Sequence, residues 1–424
     1  MISQTVGLKL LLFFCGVGFG AVFVPGSGTS QWVSAQDGSV VDASTLHHKV
    51  LCGYQGWFRC PGDGTDEGWL HWSRRKNLLT PESLTVEMWP DTSALPDAKR
   101  YVVPGFTGPD GKSAHLFSSA DRETVQQHFA WMRDHGIDGV FVQRFLVNLN
   151  KPSFDTVLGH VRKSAQETGR VYAIGYDLSG FPPEHLMEAL AEDWRRLVDQ
   201  EKLKQDGSYL HHHGKPVVFV WGFFDDRFDA KLAHQVIDFF QQDSPYAATL
   251  IGGCQWDWRQ SPDAEWARAF RRFDVISPWN VGNYQSVGDK KVAATGTWAG
   301  DKAEAEQHGA KFLPVVYPGF GWTNLKGPAG SRATIPRRGG EFYWEQFLAA
   351  ADVGVEMVYV AMFDEVDEAT AIFKVSNTPP SQSQFQTLEG RPTDWYLRLT
   401  GAGTKLIRGQ IKPSRDLPIT TDSK

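Results

Sequence analysis

The feature that most constrains the fold is a rhythm of eight short apolar runs. They are Val50–Tyr54, Gly139–Gln143, Val171–Gly175, Val217–Trp221, Thr249–Gly252, Asp274–Ser277, Phe312–Val316 and Met357–Ala361. Each is rich in β-branched or aromatic residues and nearly continuous in its apolar character, which suits strands of a parallel sheet buried on both faces. Amphipathic stretches of helical length separate them. Asp121 is placed as an N-cap for the stretch ending at Gly136, and further helices are expected over 153–169, 184–204, 229–242, 262–273, 301–309 and 340–353. Eight strands alternating with helices in a chain of 424 residues predict an α/β fold, a (β/α)8 barrel with long βα loops. A doubly wound open sheet is the weaker alternative, because no Gly-x-Gly-x-x-Gly turn follows an early strand. Residues 55–120 exceed an ordinary βα loop and are expected to hold an extra strand, Leu84–Trp89, and a lid. Trp395–Leu399 reads as part of a final packing helix. The barrel is therefore drawn over 48–410, with a flexible tail over 411–424.

The N-terminus has a different character. Lys9 is the only charged side chain before the apolar and glycine run Leu10–Val24, which Pro25-Gly26 ends. Fifteen residues fall short of the roughly 20 that span a bilayer. Val33-Ser34-Ala35 then offers a small-x-small site. Residues 1–35 thus read as a secretory signal peptide cut near Ala35, followed by a short lead over 36–47, and the product is expected to be secreted or periplasmic. The weakly basic start keeps an uncleaved N-terminal membrane anchor as the alternative. No integral membrane segment is expected after the signal. Beyond it stand Cys52, Cys60 and Cys254. Cys52 and Cys60 could close a small loop in an oxidising compartment, or all three could be unpaired core residues.

Composition narrows the function. A net charge of -6 argues against nucleic acid as a partner, and 13% aromatic residues argue against disorder. Trp is abundant at 16 residues, and indole offers a flat face for sugar rings as well as core volume. In barrels of this kind the chemistry sits at the C-terminal strand ends. Those ends carry aromatic and polar groups together: Tyr54, Trp57, Arg144, Tyr176, Asp177, Trp221, Trp256, Trp279 and Tyr317. Such a mixture suits stacking on a saccharide and hydrogen bonding to its hydroxyls, so these nine are the candidate substrate-binding residues.

The sharpest motif follows the last apolar run. Asp364, Glu365, Asp367 and Glu368 place four carboxylates within five residues. Crowded like charges raise at least one pKa, and glycoside hydrolysis wants one protonated and one ionised carboxyl. Glu365 and Glu368 converge only if the segment turns; the competing role is acid residues at a helix N-terminus. His211-His212-His213 is not expected to bind metal, since consecutive residues cannot all face one ion, and no metal or organic cofactor is expected. No Gly-x-Ser-x-Gly elbow is present.

Three segments carry a resemblance: Tyr54-Gln55-Gly56-Trp57-Phe58, Gly136–Phe145, and Met362-Phe363-Asp364-Glu365-Val366-Asp367-Glu368-Ala369-Thr370. They resemble the bacterial glycoside hydrolase family 71/99-like proteins, whose characterised relatives include the family 99 endo-α-mannosidases. The resemblance implies a (β/α)8 barrel and a retaining mechanism using a Glu-x-x-Glu-Gly-Thr segment after the last strand. Glu365 and Glu368 match its two glutamates and Thr370 its threonine. Ala369 stands where glycine is usual, and Val366-Asp367 where Trp-His is usual. By resemblance, Glu365 would deprotonate the sugar 2-hydroxyl, which attacks the anomeric carbon to give an anhydro sugar. Glu368 would act as acid and then as base. An oligo- or polysaccharide is the expected partner. The alternatives are a xylosidase- or arabinosidase-like enzyme, or a non-catalytic carbohydrate-binding barrel.

Overall fold

The computed structural model describes residues 40–421. The proposed signal and its cleavage site near Ala35 lie outside the described residues. Eight barrel strands follow in chain order: β1 (Lys49–Tyr54), β2 (Gly139–Phe145), β3 (Val171–Asp177), β4 (Lys215–Phe223), β5 (Thr249–Cys254), β6 (Val275–Pro278), β7 (Lys311–Phe312, resuming at Val315–Val316) and β8 (Met357–Val360). Each coincides with one of the eight apolar runs. All neighbouring pairs among them are parallel.

The barrel closes through β7. Its first half pairs with Val275 and Ile276 of β6, and its second half with Tyr359 and Val360 of β8. Pro314 lies at the break, where it has no N–H to give. Its carbonyl accepts from the Tyr359 N–H at 3.0 Å, while the Leu313 N–H donates to Ile276 at 2.9 Å. One strand thus serves both neighbours, and the (β/α)8 expectation holds.

The helices cover the outside. They are α1 (Arg122–Asp134), α2 (Pro152–Thr168), α3 (Pro183–Asp199), α4 (Ala230–Gln241), α5 (Ala264–Phe270), α6 (Trp298–Gln307), α7 (Glu341–Val353) and α8 (Trp395–Ile407). Asp121 does occupy the N-cap position of α1, but its carboxylate accepts from Tyr101 Oη at 2.7 Å and pairs with Lys99 instead. No helix among the described residues is long and apolar enough to cross a membrane.

The expected strand Leu84–Trp89 does not form. Leu84 makes only an isolated bridge to Ser73, and the N–H groups of Glu87 and Met88 both donate to the Val366 carbonyl. That segment is spent on holding the loop after β8 rather than on a sheet. A hairpin, Tyr101–Thr107 with Ser113–Leu116, occupies part of the same long connection. Cys52, Cys60 and Cys254 are all buried free thiols, so the possible Cys52–Cys60 bridge is not made. After α8 the chain continues over the surface, where Trp344 Nε1 donates to the Ser414 carbonyl at 2.8 Å.

Inside the barrel Phe141 of β2, Phe219 of β4 and Tyr359 of β8 form one layer, with Tyr359 stacked at 5.4 Å on Phe141 and 5.2 Å on Phe219. Alternate strands supplying one layer is the expected packing of such a core. β1 contributes only a glycine here: a Cβ on Gly53 would lie 2.2 Å from Tyr359 Oη and 2.1 Å from Met362 Cε. Gly53→Ala is expected to cost about 1–3 kcal/mol by overpacking. A urea unfolding curve with an unchanged midpoint would show that Tyr359 and Met362 can yield without loss.

Candidate active site

A cavity of about 660 Å³ opens at the C-terminal ends of the strands. Its lining alternates along each strand. Gln55 follows β1, Gln143 and Phe145 come from β2, Asp177 from β3, Phe219 and Trp221 from β4, and Trp279 follows β6. Successive side chains of a strand point to opposite faces, so every second residue looks inward.

Glu365 and Glu368 both line this cavity. The segment after β8 folds back on itself to bring them together. The N–H groups of Thr370 and Ala371 donate to the Glu365 carbonyl at 3.1 and 2.9 Å, and the Gly321 N–H donates to the Glu368 carbonyl at 2.9 Å. Ala369 turns the chain at φ 54°, in the left-handed region that favours glycine. Its carbonyl, and that of Ala371, are held by Arg337 Nη2 at 2.8 and 2.6 Å. Arg337 is itself buried, with its guanidinium 4.4 Å from the Tyr396 ring centre.

The four carboxylates of the cluster have separate environments. Asp364 is fully buried and accepts the N–H groups of Gln55 at 2.8 Å and Gly56 at 2.9 Å, tying the end of β1 to the end of β8. Burial pushes its pKa up to about 7 against the pull of those two donors. Asp367 is buried with His71 Nδ1 at 3.7 Å. Burial, then the charges of Glu368, Asp367 and Asp364, raise Glu365 well above the usual carboxylate range, while the Gln55 side chain opposes the rise. Burial and the Asp367 charge push Glu368 up to about 7, with the Trp322 indole and Lys326 opposing. Trp322 Nε1 is buried without a well-aligned hydrogen bond among the described residues, yet stands close enough to favour the ionised form of Glu368. Across the cavity, burial raises Asp177, with Ser179 and Arg227 opposing. The Ser179 N–H donates to Asp177 Oδ1 at 2.7 Å.

Of the nine expected substrate-binding residues, Trp57, Asp177, Trp221 and Trp279 line the cavity. Trp57 is nevertheless sandwiched, with His71 stacked at 3.9 Å on one side and Phe145 at 5.2 Å, so its rings are already engaged. Trp221 carries Arg227 at 4.5 Å and meets Trp279 edge-on at 5.5 Å. The other five correct the expectation. Tyr54 is fully buried and bonded to His128 Nδ1 of α1 at 2.9 Å. Arg144 points to the helices, bonded to Asp193 Oδ1 at 2.6 Å and Asp155 Oδ1 at 3.0 Å. Tyr176 donates to the same Asp193 at 2.8 Å. Tyr317 is buried and donates to the Asn283 carbonyl. Trp256 is 49% exposed and lies outside the cavity lining. Tyr54, Arg144 and Tyr176 each face outward beside the inward residue that lines the cavity: Gln55, Gln143 and Asp177. Arg227, Trp322 and Tyr284 also line the cavity. Arg227 and Trp322 come from loops, and Tyr284 opens a short hairpin, Tyr284–Val287 with Lys290–Ala293, in the connection after β6.

No family model matches this sequence, and no curated protein matches it. Solved structures do. The GH99 endo-α-mannosidase from Bacteroides thetaiotaomicron in complex with BIS-TRIS-propane superposes with a TM-score of 0.64 at 17% identity, covering 86% of this chain and 98% of that one. A second structure of the GH99 endo-α-mannosidase from the same organism gives a TM-score of 0.63 at 18% identity, covering 86% and 99%. At these identities the likeness establishes a shared fold over nearly the whole of those enzymes.

The loop that carries both glutamates depends on Arg337. Arg337→Met is expected to strand two buried carbonyls and cost about 2–4 kcal/mol. Under conditions where the variant stays folded, kcat should fall more than KM changes. Equal kcat in variant and parent would show that the loop holds its shape without the guanidinium.

Proposed function

We propose that the protein is an exported, retaining glycoside hydrolase of the endo-α-mannosidase type, with Glu365 and Glu368 as its catalytic pair. The observation that carries this reading is the convergence of two mutually repelling glutamates, Glu365 buried and Glu368 half-buried, on one cavity at the C-terminal end of a barrel shared with the GH99 enzyme. Packing carboxylates together costs energy, and groups perturbed in this way cluster at functional sites. Export rests on the apolar run and the small-x-small site of the N-terminus.

In this mechanism Glu365 takes the proton of the sugar 2-hydroxyl, and O2 attacks the anomeric carbon as the glycosidic bond breaks. Glu368 gives its proton to the departing oxygen. Glu368 then removes a proton from water, which opens the anhydro ring, and Glu365 returns the proton to O2. Two inversions give retention. The raised pKa of Glu365 suits a base that must hold a hydroxyl proton, and that of Glu368 keeps it protonated below neutrality. Back-side attack requires O2 trans to the leaving group, which α-mannosides satisfy and α-glucosides do not. Trp221 and Trp279 supply apolar surface, and Gln55, Gln143, Asp177 and Arg227 supply hydrogen bonds to hydroxyls. A xylosidase- or arabinosidase-like enzyme would meet the same stereochemical demand with different loops.

Glu365→Gln and Glu368→Gln are each expected to lower kcat about 10²–10⁴-fold on an α-mannoside substrate. A 2-deoxy substrate should bind without turnover; its normal turnover would remove the proposed role of Glu365. The pH–rate profile should be bell-shaped, falling on the alkaline side near pH 7 as Glu368 loses its proton. An alkaline limb that persists in Glu368→Gln would place the acid elsewhere. A glycan panel with no released reducing sugar would favour a binding barrel over an enzyme.

Stability should move the opposite way. Burial raises Glu368 from an ordinary 4.5 to about 7. The group therefore does not oppose folding below about pH 4.5, and its cost grows as pH rises through the folded value. At ~1.4 kcal/mol per unit, the full cost approaches about 3 kcal/mol above pH 7. Glu368→Gln should therefore raise the unfolding free energy at pH 8 and change it little at pH 4.

A further inference from the structure

The opposite end of the barrel holds a cluster of imidazoles. His47 lies two residues before the start of β1, His212 ends a short strand paired with the start of β4, and His213 sits in the turn between them. One ring nitrogen from each of His47, His212 and His213 lies within 4.8 Å of the others. His211, the third member of the sequence run, is turned away, with its Nδ1 2.8 Å from the Tyr209 carbonyl oxygen. The objection that consecutive histidines cannot share one ion therefore does not apply. Two neighbours take part and the third ligand comes from a distant segment.

We propose that His47, His212 and His213 form a structural site for a divalent transition-metal ion of the zinc class, separate from the catalytic cavity. Three imidazoles are a common donor set for such an ion, with water completing the shell. Two further observations support it. His212 is 2% exposed, and its Nε2 has no hydrogen-bond partner among the described residues. An orphaned buried ring nitrogen is costly, and an ion would satisfy it. His47 Nδ1 lies 2.7 Å from Glu356 Oε2. The contact holds the imidazole beside a carboxylate, as metal-bound histidines usually are held.

The geometry also states what binding must change. Tetrahedral ligands at 2.0–2.1 Å stand roughly 3.4 Å apart, so the cluster must contract. His213 is exposed, at φ 50° in a turn completed by Gly214 at φ 76°, with its ring 4.0 Å from that of His212. The Leu46 N–H donates to His212 Nδ1 at 3.3 Å, which places the ring proton on Nε2. Ligation through Nε2 moves that proton to Nδ1, where Thr45 Oγ1, 3.5 Å away, can accept it, and the Leu46 N–H gives up its bond to the ring. Lys311 Nζ lies 3.5 Å from Glu356 Oε2, so that carboxylate is shared and serves His47 rather than the ion. A bound ion would clip the segment before β1 to the turn before β4. That segment is also fastened by the Val41 N–H to the Gly169 carbonyl at 2.9 Å, the His211 N–H to the Ala43 carbonyl at 2.7 Å and the His48 N–H to the Glu356 carbonyl at 2.6 Å.

The test uses untagged full-length protein, stripped with EDTA and titrated with Zn²⁺ by calorimetry and equilibrium dialysis. One equivalent should bind, and Tm should rise by about 2–6 °C at saturating Zn²⁺ and return on chelation. His213→Ala, a change at an exposed turn, should weaken Zn²⁺ at least about tenfold, while His211→Ala should bind like the parent. The glycosidase rate should be the same with and without EDTA. Binding well below one equivalent, or equal affinity in His213→Ala and the parent, would overturn the site. Neither result would touch the reading of Glu365 and Glu368, nor would loss of that reading touch this one.

Discussion

The site depends first on a single buried carboxylate. Asp364 takes the N–H groups of Gln55 and Gly56 and so joins the end of the first strand to the end of the eighth. Backbone groups leaving a strand into a tight turn have lost their ladder partners, and burial makes that loss expensive. Asp364 satisfies two of them at once. The same contact sets Gln55 against Glu365 and carries Trp57 to the cavity wall. The barrel seam and the position of the proposed base are thus one interaction.

Around it, the loop after β8 is held from outside the barrel sheet. Glu87 and Met88 bind the Val366 carbonyl, Gly321 binds that of Glu368, and Arg337 binds those of Ala369 and Ala371. These contacts come from the long first connection and from the segments after β7. They offset the repulsion among four acids and the left-handed turn at Ala369. The left-handed turn at Ala369 and the crowding of Glu365 with Glu368 persist because neighbouring elements over-determine them. Much of the abundant tryptophan has nothing to do with this: Trp72, Trp194, Trp258 and Trp344 are core volume.

The sequence by itself determined the strand count, the parallel arrangement and the place of the acid cluster. Eight continuous apolar runs admit few other solutions, because strands covered by helices on one side and by the barrel core on the other are apolar throughout. That same continuity hides parity. A run apolar on both faces does not say which alternate residue looks into the barrel, so Tyr54, Arg144 and Tyr176 were read as lining in place of Gln55 and Gln143, beside Asp177. The tertiary structure decided parity, because closure through the split β7 orients every strand's pleat. It also decided what touches across the chain. Arg144 meets Asp193 of α3, 49 residues on, and Glu87 of the long first connection supports the carboxylate loop after β8. His47 reaches His212 only because the lead and the β4 turn share one end of the barrel. Local spacing carries none of these meetings, since each is set by where the closed sheet brings distant segments together.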